Sequence, residues 1–363
     1  MKKTLLQVLL FTFGITLFAQ VDNASIIAYR QAVSLYEAQE YGKALKKADD
    51  AIVLRKEQSF KEAELLKNSQ TSRQVRAAGD KIEDVRKVFI ERGEVDCVEV
   101  LDYYTEKKGL DFFNNSLVEM ISYIESNKDF PEALKLIGDI FMLEGEYSVA
   151  DEYYSRALSH ADILDIPDEK YAILYQLADL SRYQGDYEKM EVRLLNVIGA
   201  NGLSPDNATI RSIKNTVSQN KSDTLTKFFK MYRADNYYSL NAYCQLSEYY
   251  LERKEYELAF EYSSLSVITG FTKIYNLLVK RNLDYEFTDL ASYFDEVSYN
   301  SDIIRWGTEN NVWKEYYLFA KICLEMGYDV FASDLLRIIA KDMPVSYWQE
   351  SAVVLLDSMD GVN

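Results

Sequence analysis

Proline, histidine and cysteine are scarce in this chain, and each scarcity removes a class of structure or chemistry. There are 4 prolines in 363 residues: Pro131, Pro167, Pro205 and Pro344. A proline inside a helix removes a backbone hydrogen bond and costs about 3 kcal/mol. A chain that keeps its prolines at the ends of apolar-periodic segments is free to be helical nearly throughout. The single histidine, His160, rules out the two-histidine H-E-x-x-H zinc motif, and no serine or cysteine is spaced with it as a triad requires. It follows an expected helix, where a partial positive charge suits the negative end of the helix dipole. The P-loop, the dinucleotide-binding glycine signature and the G-x-S-x-G elbow are missing as well. Cys97, Cys244 and Cys323 are odd in number and have no C-x-x-C spacing, so they read as buried apolar thiols and not as a disulfide framework. No cofactor or metal is expected, and the chain reads as non-enzymatic.

Positive charge is also in deficit. Lys and Arg total 41 against 58 Asp and Glu, for a net charge of −17 and a pI near 4.7. Such a surface repels phosphate backbones and anionic lipid headgroups, which argues against nucleic-acid binding and charge-driven membrane docking. The expected partner is a protein, basic or neutral. Residues 1–19 carry two lysines and then an apolar run from Thr4 to Phe18. That order is the one found in secretory signal peptides, and the run is shorter than the roughly 20 residues of a bilayer span. Cleavage is expected after Ala19, with an uncleaved anchor as the alternative. No cysteine follows the run, so no lipoprotein anchor is expected there. The mature chain is expected to be exported, to the periplasm or outer cell envelope, without stable membrane insertion.

What the sequence does have is ample core material, 48% hydrophobic residues and 13% aromatic, arranged in a recurring pattern. Between Pro131 and Leu158, one helical stretch carries Leu134, Ile137, Gly138 and Phe141. A turn follows at Gly145 and Tyr147, and a second stretch carries Ala150, Tyr154 and Ala157. This resembles a tetratricopeptide repeat (TPR). The same places recur at Leu174, Leu177, Ala178, Gly185, Tyr187, Met190, Leu194 and Val197, with the extra residues in the link 161–170. Weaker copies run through Ala32, Leu35, Tyr41, Ala44, Ala48 and Ala51, and through Tyr243, Leu246, Ser247, Tyr250, Tyr256 and Ala259. Another comprises Tyr316, Phe319, Ala320, Cys323, Gly327, Ala332, Leu336 and Ile339.

Between these copies the pattern fades while helical periodicity persists. A long helix is expected from Tyr41 toward Arg76, a hairpin of 81–92 and 95–107 around Gly93, and one helix over Leu110–Asn127. A weak hairpin of 208–219 and 224–234 follows the break at 199–207, and 271–301 reads as degenerate, helical and aromatic. The last helix, Ser346–Met359, opens on a Ser346/Gln349 capping box and reads as a terminal cap. The expected divisions are 1–19 signal peptide, 20–127 N-terminal helical region, 128–200 two well-matched repeats, and 201–363 C-terminal repeats with the capping helix.

The resemblance implies an all-α fold, a right-handed superhelical solenoid of antiparallel helical hairpins, with first helices lining a concave groove. In this register the groove residues are Asp139, Met142, Tyr175, Asp179, Arg182, Tyr183, Glu248, Leu251, Tyr317, Lys321 and Leu324. Some members of the family clamp a partner's C-terminal carboxylate with basic residues and asparagine, whereas the comparable face here offers Asp139, Asp179 and Glu248. Adjacent tyrosines such as Tyr153–Tyr154, Tyr249–Tyr250 and Tyr316–Tyr317 are not expected to bury both members on one stripe, which leaves one of each pair for the groove. The function expected is a scaffold or adaptor of the bacterial cell envelope that holds a peptide or helix in its groove. The alternatives are a small-ligand carrier or transporter accessory protein, and a carboxylate-dependent glycan hydrolase built on helices.

Overall fold

The computed structural model describes residues 24–201, 207–219 and 221–360. The expected signal peptide, Pro205 and most of the 199–207 break lie outside them. All regular elements among the described residues are helices, and the one strand-like pairing is an isolated bridge between Lys81 and Ser116. The chain divides into two compact units, with the division between Leu180 and Ser181.

The first unit contains α1 (Ala24–Glu37), α2 (Tyr41–Gln70), α3 (Arg73–Ala78), α4 (Ile82–Arg92), α5 (Val95–Lys108), α6 (Leu117–Ser126), α7 (Pro131–Leu143) and α8 (Tyr147–Ser159). Helix α9 (Glu169–Tyr183) follows, and the division falls within it. The long α2 serves different clusters along its length. In its first half Ala48 and Ala51 meet Ala28 and Ala32 of α1 and Ala133, Leu136 and Ile137 of α7. Small side chains at such a contact let helix axes approach closely. In its second half Ala63 and Leu66 join a separate cluster with Val85, Phe89, Leu101 and Met120 of α4–α6. The repeat signal fades after Arg55 because the helix changes partners there.

Helix α2 stops at Gln70, short of Arg76. Ser72 caps the separate α3, accepting from the Val75 N–H at 3.2 Å. The single helix expected over Leu110–Asn127 is also broken. A 3₁₀ turn at Asp111–Phe113 is followed by Asn114 and Asn115, both at φ 51°, and α6 starts behind the Ser116 cap. Asparagine enters the left-handed region more readily than other side-chain-bearing residues, so the chain turns here.

The second unit holds α10 (Tyr187–Ala200), α11 (Asn207–Val217), α12 (Thr224–Met231), α13 (Leu240–Glu252), α14 (Tyr256–Arg281), α15 (Leu290–Ser298), α16 (Ser301–Glu309), α17 (Val312–Glu325), α18 (Asp329–Asp342) and α19 (Ser346–Asp360). Like α2, α14 outgrows its hairpin. Phe271 lies 4.9 Å from the rings of both Phe229 and Tyr293, so part of the degenerate 271–301 stretch belongs to this helix. The Ser346/Gln349 capping box is not formed. Ser346 is already helical, and the Gln349 amide reaches back to donate to the Met343 carbonyl at 2.8 Å. On α19 Ala352 is buried, while Tyr347, Val353 and Val354 are exposed.

One turn structure joins most hairpins. After α7, the Gly145 N–H donates to the Met142 carbonyl at 3.2 Å and the Glu146 N–H to Phe141 at 2.9 Å, with Gly145 at φ 79°. Gly93, Gly185 and Gly327 make the same pair of bonds. Glycine populates this left-handed region without a Cβ penalty. Gln39 (φ 61°) and Lys254 (φ 59°) make it too, without glycine. Pro131 opens α7, and Cys97, Cys244 and Cys323 are free and buried. His160 stands at the C-terminus of α8, with Nε2 3.6 Å from Asp129 Oδ2.

Candidate functional site

In the second unit, α13 and α17 present facing stripes. Leu246, Tyr243 and Tyr250 bury one side of α13, which turns Glu248 and Leu251, three residues apart, to another face. On α17, Lys314, Leu318 and Lys321 recur at helical spacing along one stripe. Together these residues line a cleft of about 380 Å³, with Lys254 of the turn after α13 and Tyr256 at the start of α14 also in its lining. A second hollow of about 540 Å³ shares Lys254, Tyr256 and Glu325 and continues toward Met326 and Tyr328.

Two links join the helices beside this cleft, one above the other. On the outer level the Lys314 ammonium lies 2.6 Å from Glu248 Oε1. On the inner level, formed by the residues next in sequence, Ser247 Oγ donates to Glu315 Oε2 at 3.0 Å. Glu315 is fully buried, and its Oε1 has no hydrogen-bond partner. Burial, with Glu248 adding to it, pushes the Glu315 carboxyl up to about 8, against the pull of Ser247, Lys314 and the Cys244 thiol. Cys244 in turn shares a hydrogen bond with Ser266 of α14 at 3.1 Å.

Of the residues that the sequence register assigns to the groove, Glu248, Leu251 and Lys321 line this cleft. The lining also includes Lys314, Leu318, Glu252, Lys254, Tyr256 and Glu325, which the register did not assign. The first two were within reach, because they lie seven and three residues before Lys321 on the same helical stripe. Tyr317 and Leu324 lie outside this lining. The Tyr317 ring packs 5.5 Å from Trp348 of α19, and Leu324 is half-buried. Arg182 and Tyr183 are exposed, with the guanidinium 5.6 Å from the tyrosine ring.

In the first unit, Tyr175 and Asp179 are half-buried on α9. Asp139 and Met142 are engaged within their own hairpin. The Tyr154 hydroxyl donates to Asp139 Oδ1 at 2.7 Å and reaches Met142 Sδ at 3.5 Å. Lys135 sits 2.7 Å from the other Asp139 oxygen. Gly138 leaves room for this arrangement, since a Cβ there would lie 2.7 Å from the Tyr154 ring. Asp139→Ala is therefore expected to cost about 1–2 kcal/mol of stability by removing a charge-assisted bond to a buried hydroxyl. Urea unfolding of the purified variant measures it, and an unchanged midpoint would show that Asp139 is a surface residue free for binding.

No family model matches the chain. Over 339 residues it is 29% identical to an uncharacterized protein of Treponema pallidum (strain Nichols), a match covering 92% of this chain and 90% of that protein. The similarity thus spans both units and is not confined to one hairpin. The paired-tyrosine expectation fails at Tyr249 and Tyr250, which are both buried. Tyr249 stacks on Tyr187 at 6.4 Å, and the Tyr250 hydroxyl donates to Glu191 at 2.5 Å. Among the described residues no group of His, Cys, Asp and Glu is placed to hold a metal ion, and no helix is long and apolar enough to cross a membrane.

Proposed function

We propose that this chain is a TPR-like array of helical hairpins, exported to the bacterial cell envelope, that acts as a non-enzymatic scaffold and holds a segment of a protein partner in the cleft between α13 and α17. The observation that carries this reading is that Glu248, Leu251 and Lys321, assigned to the groove from the repeat register alone, line one cleft. The recurring left-handed turn supports the repeat reading, and the lysine-then-apolar order of residues 1–19 supports export. The cleft offers Leu251, Leu318 and Tyr256 as apolar anchors among charges of both signs, which suits an extended peptide or a helix with a defined register.

The test is a photo-cross-linker at Leu251, used in intact envelopes to capture the occupant, followed by affinity measurements on that occupant. Glu248→Lys combined with Lys321→Glu reverses one charge on each wall at accessible positions. Binding is expected to weaken by about tenfold or more, since misplaced like charges are costly at an interface. Unchanged affinity removes the cleft from the mechanism. Recovery of a small molecule in place of a protein would favour the carrier reading.

A further inference from the structure

The charges of the cleft balance, and the group beneath it does not. Glu248, Glu252 and Glu325 face Lys254, Lys314 and Lys321. Glu315 lies under the Glu248–Lys314 link with one oxygen bound to Ser247 and the other unpartnered. The polar neighbours from α13 are Ser247, Glu248 and Cys244, the neighbour on its own helix is Lys314, and α14 supplies Ser266 through Cys244. At this end of the cleft one ammonium therefore serves two carboxylates. A buried carboxylate without its own counter-charge is expensive, so in the empty cleft the neutral acid is the balanced form.

A second cation would reverse that preference. We propose that the Glu248 end of the cleft receives a basic side chain of the bound segment, and that its docking makes Glu315 release its proton to solvent. This rests on the cleft being the partner-binding site and names the chemistry the cleft selects. The step leaves every heavy-atom bond in place: the Glu315 carboxylic acid becomes a carboxylate, one proton goes to solvent, and the incoming ammonium or guanidinium restores the charge balance. The net charge of −17 draws such a segment in from a distance.

The sign of the pH dependence follows. Glu315 holds its proton up to about 8 in the empty cleft. Below that value docking expels a proton, so affinity rises with pH by up to about tenfold per unit and levels off above about 8. A partner bringing a carboxylate to this end would show the opposite slope.

The probe is the capped peptide acetyl-Leu-Lys-Ala-Leu-Lys-amide, compared with a version carrying glutamine at both lysines. Calorimetric titration at about pH 7 in phosphate and in Tris counts the protons released, because the two buffers differ in ionisation heat. The expected result is that the lysine peptide binds several-fold more tightly than the glutamine peptide and releases up to about one proton. The isosteric Glu315→Gln variant should still bind it with no release and no rise with pH. Binding of the lysine peptide that is sensitive to Glu248→Lys yet silent in protons overturns this inference and leaves the cleft reading standing. So does preference for the glutamine peptide. Binding indifferent to Glu248→Lys overturns the cleft reading. Binding of neither peptide overturns the basic occupant, and the cross-linking experiment then judges the cleft on its own.

Discussion

Replacing Glu315 with glutamine is expected to raise stability at neutral pH by on the order of a few kcal/mol. It should also flatten a decline in stability that the native chain shows between about pH 4.5 and about 8. The sign follows from the proton balance. An unfolded glutamate titrates near 4.5, whereas the folded one holds its proton to about 8, so across that interval unfolding releases a proton. The folded chain is favoured fully below the lower value, loses ground as pH rises through the interval, and loses no more above it. Glutamine keeps the shape and the capacity to bond Ser247 while having no proton to lose. Urea unfolding at a series of pH values, native against variant, reads this directly. Parallel curves would mean that Glu315 is ionised and solvated, and the two-level link beneath the cleft would have to be abandoned.

Gly307→Ala is expected to destabilise the second unit by about 3 kcal/mol, the upper part of the range for overpacking a tight core. A Cβ on Gly307 would lie 2.4 Å from Cζ2 and 2.5 Å from Cε2 of Trp313. The indole is held on several sides. It is buried, its Nε1 donates to the Ile304 carbonyl at 3.1 Å, and its ring meets Phe294 at 6.2 Å and 70°. Relief would require α16 and α17 to separate. Gly199→Ala is the control, because a Cβ on that residue of α10 meets nothing within 4 Å. In a helix that change should stabilise by up to about 1 kcal/mol. If the two variants unfold at the same denaturant concentration, the helices are not packed through this glycine.

What the sequence revealed, and what it hid, divides along physical lines. Gly145, Gly185 and Gly327 announce their turns because glycine is the residue that needs no help to adopt positive φ. Gln39 and Lys254 adopt it under the constraint of the helices they join, and no residue type marks that. The first half of α2 was legible through its alanines. Its second half and the far end of α14 were not, because a long helix can change partners without changing period.

The bond that engages Asp139 was hidden for a related reason. The spacing says which helix carries it, but the reach of the Tyr154 hydroxyl is a tertiary matter. Glu315 could have been found. Val312, Phe319 and Ile322 share its stripe and are all buried, so a carboxylate at that spacing is a core position, although between Lys314 and Tyr316 it looks like an ordinary surface acid.

The long α2 has a consequence for how the first unit opens. Arrays of hairpins in which each unit touches only its neighbours tend to come apart piecewise, from their ends. Here a single continuous helix supplies Ala48 and Ala51 to two small clusters and Ala63 and Leu66 to a third. Arg55 lies buried between them, its guanidinium 4.3 Å from the centre of the Phe130 ring. Fraying either half of that rod withdraws support from the other. The clusters are thereby fused into one cooperative element, and the rigidity of the first unit is set by the continuity of this helix more than by the packing of any individual hairpin.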